Sequence, residues 1–241
     1  PRDTRTRSIL RVAAAVGLSV GDVRVMPVRN RDNLIEADLT YVGGDVSLRV
    51  SGERRKSVVL EQESQNIQLF GPFDFLGTIF DNPQLNWEIR LTDRIPLNLT
   101  LNASVGNAVL DLRDLNLTNL RARAGVGDLQ VNLPATESRY SVDINGGVGN
   151  VNVVIPDGAD IDMTVNGGTG DFTIDVPANA AVRLDAQTGV GSISVSGLER
   201  VTGDAERVVG DRGTWETPGF SEAARRITIT FRGGVGNLTV R

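Results

Sequence analysis

Several short phrases in this 241-residue chain have residue types and spacing that could hold a phosphate or a cation. Each is Gly, a small residue and Gly, then Asp, Asn or Ser, then an alternating apolar run. They read AGVGDLQVNLP from Ala124, GGVGNVNVVIP from Gly146, GGTGDFTIDVP from Gly167, TGVGSISVSGL from Thr188 and GGVGNLTVR from Gly233. Weaker copies are SVGDVRVMP from Ser19, VGGDVSLRV from Val42 and SVGNAVLDL from Ser104. A dinucleotide cradle needs Gly-x-Gly-x-x-Gly between a strand and a helix, and a phosphate loop ends in Gly-Lys-Ser/Thr. Here a period-two run follows each phrase and no Lys does. The calcium nonapeptide places its Asp two residues beyond the last glycine, where this chain has Val151 and Phe172. The phrases therefore read as structural corners, with no cofactor and no metal expected.

Other chemistry is thin. The chain has no histidine and no cysteine, which removes the usual proton shuttle, Ser-His and Cys-His catalysis, disulfides and thiolate metal sites. Paired carboxylates of the glycosidase kind remain available, as Asp143 with Asp162 in neighbouring repeats. Both fall at outward positions of alternating strands, where solvation alone explains them, so no catalytic residue is assigned and the chain is read as a non-enzyme. A net charge of −5 argues against nucleic acid as a partner. The small basic clusters Arg2, Arg5, Arg7, Arg11 and Arg54, Arg55, Lys56 read as solvated surface or a juxtamembrane tail. No stretch approaches the roughly 20 apolar residues of a membrane-spanning helix. The chain starts at Pro1, so membrane proximity through an upstream signal or anchor is expected to remain possible.

The elements that position these phrases follow from their period. The second glycines Gly106, Gly127, Gly149, Gly170 and Gly191 are spaced by 21, 22, 21 and 21 residues, and Gly236 repeats the pattern. Apolar residues alternate before each corner, as in Tyr140, Val142, Ile144, and after it, as in Val151, Val153, Ile155. Period two predicts strands with one buried face. The central residues Val105, Val126, Val148, Thr169, Val190 and Val235 are expected to keep the inward phase. A hairpin meander is the rival, since Asn145-Gly146 and Asn166-Gly167 suit type I′ turns. The equivalent pairs Arg123-Ala124 and Gln187-Thr188 do not suit them, which favours stacked coils. The fold expected is all-β: a single-stranded right-handed β-helix, or solenoid, with coils of ~21 residues and two irregular insertions. Stacking would put Asn107, Asp128, Asn150, Asp171, Ser192 and Asn237 on one edge as a turn-capping ladder, with Asp22 and Asp45 in the weaker copies.

Residues 1–241 are read as one domain, with degenerate coils over 1–103 and regular coils over 104–241. The repeated phrase falls silent over Val50 to Leu101, which includes the aromatic loop 69–80 with Phe70, Phe73, Phe75 and Phe80, and over 199–226, which carries Trp215 and Phe220. These six aromatics are the candidate partner-binding residues, the aromatic loop serving either as a contact or as a plug on a coil end. WEIRL around Trp87 is a candidate hidden strand. The final repeat runs to Arg241 with no cap after it, which suggests self-association through an open coil end.

The tandem VGDLQVNLP, GGVGNVNVVIP and GGTGDFTIDVP units, with TWETPGF (214–220) leading into RRITITFRGGVGNLTVR, resemble the toast-rack β-helix of LiaF-type bacterial envelope proteins. These are also called the cell wall-active antibiotic response family. The resemblance is good from Ser104 to Arg241 and weaker before it. It implies a membrane-associated cell-envelope regulatory module of envelope stress, bound to a membrane signalling protein, and it brings no catalytic residues. A self-associating structural or adhesive solenoid is the alternative, and a carbohydrate-active β-helix a weaker one.

Overall fold

The computed structural model describes residues 11–28, 33–41, 45–53, 55–62, 85–202 and 210–241. The alternating runs form strands because β-branched and apolar residues at every second position can bury one side of a pleated strand. β1 (Arg11–Val20) and β2 (Asp22–Pro27) meet at Gly21, and β3 (Ile35–Thr40), β4 (Val46–Ser51), β5 (Arg55–Gln62) and β6 (Asn86–Leu91) follow. The hidden strand around Trp87 is β6. Next come glycine-cornered pairs: β7 (Leu97–Val105) with β8 (Ala108–Asp111), and β9 (Leu117–Val126) with β10 (Leu129–Asn132). They continue as β11 (Tyr140–Val148) with β12 (Val151–Val154), β13 (Ile161–Asn166) with β14 (Phe172–Asp175), and β15 (Val182–Val190) with β16 (Ile193–Val195). The irregular stretch holds β17 (Glu199–Thr202), β18 (Arg212–Glu216) and a 3-10 turn at Phe220–Glu222. The last pair is β19 (Ile227–Val235) with β20 (Leu238–Val240).

The first strand of each glycine-cornered pair enters an 11-stranded sheet ordered β17-β18-β15-β19-β13-β11-β9-β7-β1-β5-β4, and the second a 9-stranded sheet ordered β16-β20-β14-β12-β10-β8-β2-β6-β3. Cornered units pair in parallel, with Leu129 beside Val151, Val151 beside Phe172, and Phe172 beside Leu238. This is an all-β fold of parallel sheets, and it excludes the hairpin meander. Asn145 and Asn166 lie within strands and face each other, the Asn166 Nδ2 donating to the Asn145 Oδ1 at 3.2 Å. Among the described residues, antiparallel pairing occurs only towards the sheet ends, in β4–β5, β3–β6, β15–β18 and β17–β18.

Chain order and stacking order differ at both ends. The final unit, β19–β20, sits between β13–β14 and β15–β16, and the first unit, β1–β2, sits between the β5/β6 and β7/β8 layers. The expected open coil after Arg241 is thus corrected. A layer inside the stack satisfies both strand edges and buries apolar surface against two neighbours, whereas an end layer does neither. One apolar cluster runs between the sheets from Val12 to Val240 and includes fully buried Trp87, Leu120, Ile144 and Phe231. Phe172 and Phe231 meet edge-to-face at 5.1 Å between ring centroids. Each buried aliphatic side chain of this kind contributes about 1.5–3 kcal/mol.

The corner itself overturns one expectation. The inward positions are even-numbered before it (Leu120, Ala122) and odd-numbered after it (Leu129, Val131), and the middle residue, Val126, does not keep the phase although it is even-numbered. It turns outward: Val105, Val126, Val148, Val190 and Val235 are 47–54% exposed. The phase is thus lost between Ala122 and Val126, and the corner is completed at Gly127, whose φ is 134°, a conformation that side chains rarely adopt. A Cβ there would also lie 2.1 Å from the Gly106 carbonyl oxygen in the next layer.

Gly127→Ala should therefore cost about 2–5 kcal/mol, from the left-handed backbone and the clash together. Gly158→Ala, at φ 71° but with nothing within 4 Å of the added Cβ, should cost only about 1–2 kcal/mol. Urea unfolding midpoints compare the two. A second test concerns Tyr140, whose buried hydroxyl donates to the Pro134 carbonyl at 2.7 Å. Burial pushes this phenol well above its ordinary 10.0. The folded state then holds its proton more tightly than the unfolded chain, so the stability from this group is full below pH 10.0 and falls as pH rises beyond it. Tyr140→Phe should cost about 1–2 kcal/mol at neutral pH and flatten the alkaline loss, as read from denaturation at graded pH.

Candidate interaction surfaces

The corner edge is the most regular surface of the molecule. Asp22, Asn107, Asp128, Asn150, Asp171, Asn237 and Ser192 follow one another in stacking order, because their strands are neighbours in the 9-stranded sheet. The side chain of each layer accepts from the backbone N–H of the next. Asp22 Oδ1 accepts from Asn107 at 2.8 Å, Asn107 Oδ1 from Asp128 at 3.0 Å, Asp128 Oδ1 from Asn150 at 2.8 Å, and Asn150 Oδ1 from Asp171 at 3.2 Å. Asp171 Oδ1 then accepts from Asn237 at 2.9 Å, and Asn237 Oδ1 from Ser192 at 3.1 Å. The bonds run between layers and not within one turn, a partner choice that local turn chemistry does not predict. The column alternates Asp and Asn. Carboxylates are thereby held two layers apart, roughly 9.6 Å, near the screening length at physiological salt.

Beside this column runs the ridge of exposed central residues. Backbone pairing places Val20, Val105, Val126, Val148, Thr169, Val235 and Val190 in consecutive layers. On its far side the 11-stranded sheet presents Gly125, Gly147, Gly168, Gly234 and Gly189, a trough without side chains that spans five layers and ends at Ser104 in the β7 layer. These glycines are compelled by packing, since a Cβ on Gly147 would lie 2.0 Å from the Gly125 carbonyl oxygen. The exposed valines have no such compulsion.

The candidate aromatics divide. Phe70, Phe73, Phe75 and Phe80 lie outside the described residues. Trp215, expected at a partner surface, is only 7% exposed: it faces Leu184 across the β15–β18 pair, and the Arg200 guanidinium covers its ring at 4.7 Å. Arg200 is held in turn by Asp211 at 2.9 Å. Burial of an indole at a sheet end extends the core, which leaves little of the ring for a partner. Phe220 is half-buried in the 3-10 turn, with Arg226 at 5.8 Å. The same stretch carries a clamp that sequence did not reveal, Arg225 donating to the Thr136 and Gly158 carbonyls at 2.9 and 2.6 Å. No local pattern could announce it, because its acceptors are 89 and 67 residues away.

Asp143 and Asp162 do not form a pair. Asp143 stands opposite Thr164 and Asp162 opposite Ser141, and each has its own cation, Arg121 at 3.3 Å and Arg139 at 3.5 Å. Among the described residues no group of three or more metal-ligating side chains converges, and no helix is long and apolar enough to cross a membrane. A groove of about 820 Å³ runs along the return turns and includes Asp93, Arg113, Asp114, Glu137 and Arg139. Its lining holds no aromatic residue on which a sugar ring could stack.

Comparison with known proteins agrees with this architecture. No curated protein matches the sequence. A candidate cell adhesion protein from Clostridium sporogenes ATCC 15579 superposes with a TM-score of 0.62 at 17% identity, over 97% of this chain and 93% of that one. The likeness is one of fold. A candidate adhesin from Bacteroides fragilis NCTC 9343 covers the same shares at 13% identity, but its TM-score of 0.41 carries no weight. The family described as the N-terminal domain of toast_rack, DUF2154, matches residues 6–154. Glycine-cornered parallel layers and a match over more than half of the sequence place the chain in the toast-rack N-terminal domain family.

Proposed function

We propose that this chain is a non-catalytic interaction module of the bacterial cell envelope, membrane-associated and engaged in the envelope-stress response. In this reading residues 1–241 form one right-handed β-helical domain with coils of 21 or 22 residues. The single observation that carries the proposal is the use the fold makes of its polar groups. The corner Asp and Asn side chains bond the next layer, and the outward carboxylates Asp143, Asp162 and Asp185 are each paired with Arg. Such an exterior offers long ordered columns to a macromolecule in place of a concave reaction chamber. Membership of the toast-rack family supports an envelope setting, and the adhesion candidate of like fold supports a binding role. The partner is a protein, either a membrane signalling protein or another copy of the chain; nucleic acid is disfavoured by the net charge of −5.

Fractionation of the native host with an antibody to this chain, combined with deletion of its gene, tests the reading. The protein should appear in the envelope fraction. Deletion should change by several-fold the transcriptional response to a cell wall-active antibiotic while leaving unstressed growth intact. Recovery in the cytosolic fraction with an unaltered response would overturn the proposal.

A further inference from the structure

The valine ridge has a width, a period and two flanks, and together they specify an occupant. Seven rungs at the inter-strand spacing give a line about 29 Å long, valine at six of them and threonine at Thr169. A solvent-facing corner position does not require valine, and a line of this length on a soluble surface marks a contact. Only a partner with the same rise per layer can meet every rung. The adjoining glycine trough has that rise, so ridge and trough are complementary to each other and hence to a second copy.

The flanks fix the orientation. Beyond the trough lie Arg123 and Arg232, both exposed and without an ion pair among the described residues. Beyond the ridge lie Asp128 and Asp171, exposed, with Oδ1 bonded to the next layer. A two-fold axis parallel to the stack reverses the order of these columns. It sets the Arg123 flank of each copy against the Asp128 flank of the other in the same layer, while an axis across the stack would set cation against cation. We infer that the chain forms a parallel, side-by-side homodimer in which the Val126–Val148–Val235–Val190 part of the ridge of each copy seats in the glycine trough of the other, flanked by reciprocal Arg123–Asp128 pairs. The association is self-complementary and closed. A strip of this length covers about 600 Å² per partner, short of the ~800 Å² of a standard interface, so the dimer is weak, with a dissociation constant on the order of 100 µM. The inference stands apart from the envelope-stress reading, since it concerns the chain's contact with itself.

The absence of native cysteine makes single-cysteine crosslinking a clean test. Val126→Cys and Val148→Cys should each give a disulfide-linked homodimer under mild oxidation, and Val105→Cys mixed with Val235→Cys should give no mixed dimer. Thr164→Cys, on the open face of the 11-stranded sheet, should stay monomeric. In sedimentation equilibrium the unmodified chain should dimerise with concentration, and Val126→Lys with Val148→Lys should weaken this at least 10-fold while the circular dichroism is unchanged. Arg123→Glu should weaken it several-fold and reduce its salt dependence. A strict monomer at 1 mM or no crosslink at either ridge cysteine in folded protein would overturn the dimer, as would equal crosslinking of Thr164→Cys. A mixed dimer of Val105→Cys with Val235→Cys would overturn its parallel geometry.

Discussion

Everything in this molecule depends on how closely successive layers approach at the glycine corner. There a carbonyl oxygen of one layer occupies the place where the next would carry a Cβ, about 2 Å from it at Gly106, Gly127, Gly149 and Gly170. The same glycines adopt φ values of 130–143°. Both conditions exclude a side chain, and together they let a strand leave one sheet and enter the other without opening a gap in the backbone ladders. Parallel stacking then follows, because each corner needs a corner above it. The inward phase is lost ahead of the corner glycine, and this loss sends the middle residue to solvent.

A stack held in this way is strong between layers and vulnerable at its ends. The chain closes both ends by a similar device. Its first and last cornered units are inserted one layer inward, and antiparallel strands cover the layer outside: β4 and β3 on the two sheets at one end, and β18 with β17 on the 11-stranded sheet at the other, where β16 is the outermost described strand of the 9-stranded sheet. On the 11-stranded side the core at the β15 end is extended by Trp215 under Arg200 and tied by Arg183 to Glu216 at 2.7 Å. The strands β1, β2, β19 and β20 are therefore interior strands of the sheets, and their apolar positions, Val12, Val16, Leu238 and Val240, belong to the common core. This arrangement couples the two extremes of the sequence to the stability of its middle.

The exterior shows where structure ends and recognition can begin. Asp and Asn at the corner are bonded into the ladder, and glycine beside them is compelled by the carbonyl of the next layer. Valine on the ridge answers to neither demand. A regular surface whose chemistry is not explained by the fold is the natural place for a partner of the same regularity.

Much of the fold was written in the sequence. The spacing of Gly106, Gly127, Gly149, Gly170 and Gly191, with period-two apolar runs on both sides, determined strands, corners and an all-β stack, because glycine and alternation act over a few residues. The polar column was legible for the same reason: one residue type recurs at one offset. Three features were decided only by the tertiary structure. Val126 shares the parity of Leu120 and Ala122 yet faces solvent, because the chain leaves the inward phase ahead of it, which the alternating letters do not encode. The place of β19 between β13 and β15 depends on competition among equivalent edges, since any cornered unit could pair with any other by local pattern. The burial of Trp215 depends on that order, because β15 becomes an outer layer only once β19 has moved inside it. Local periodicity specifies a layer; the sequence of layers is a property of the whole chain, set by which edges must be covered.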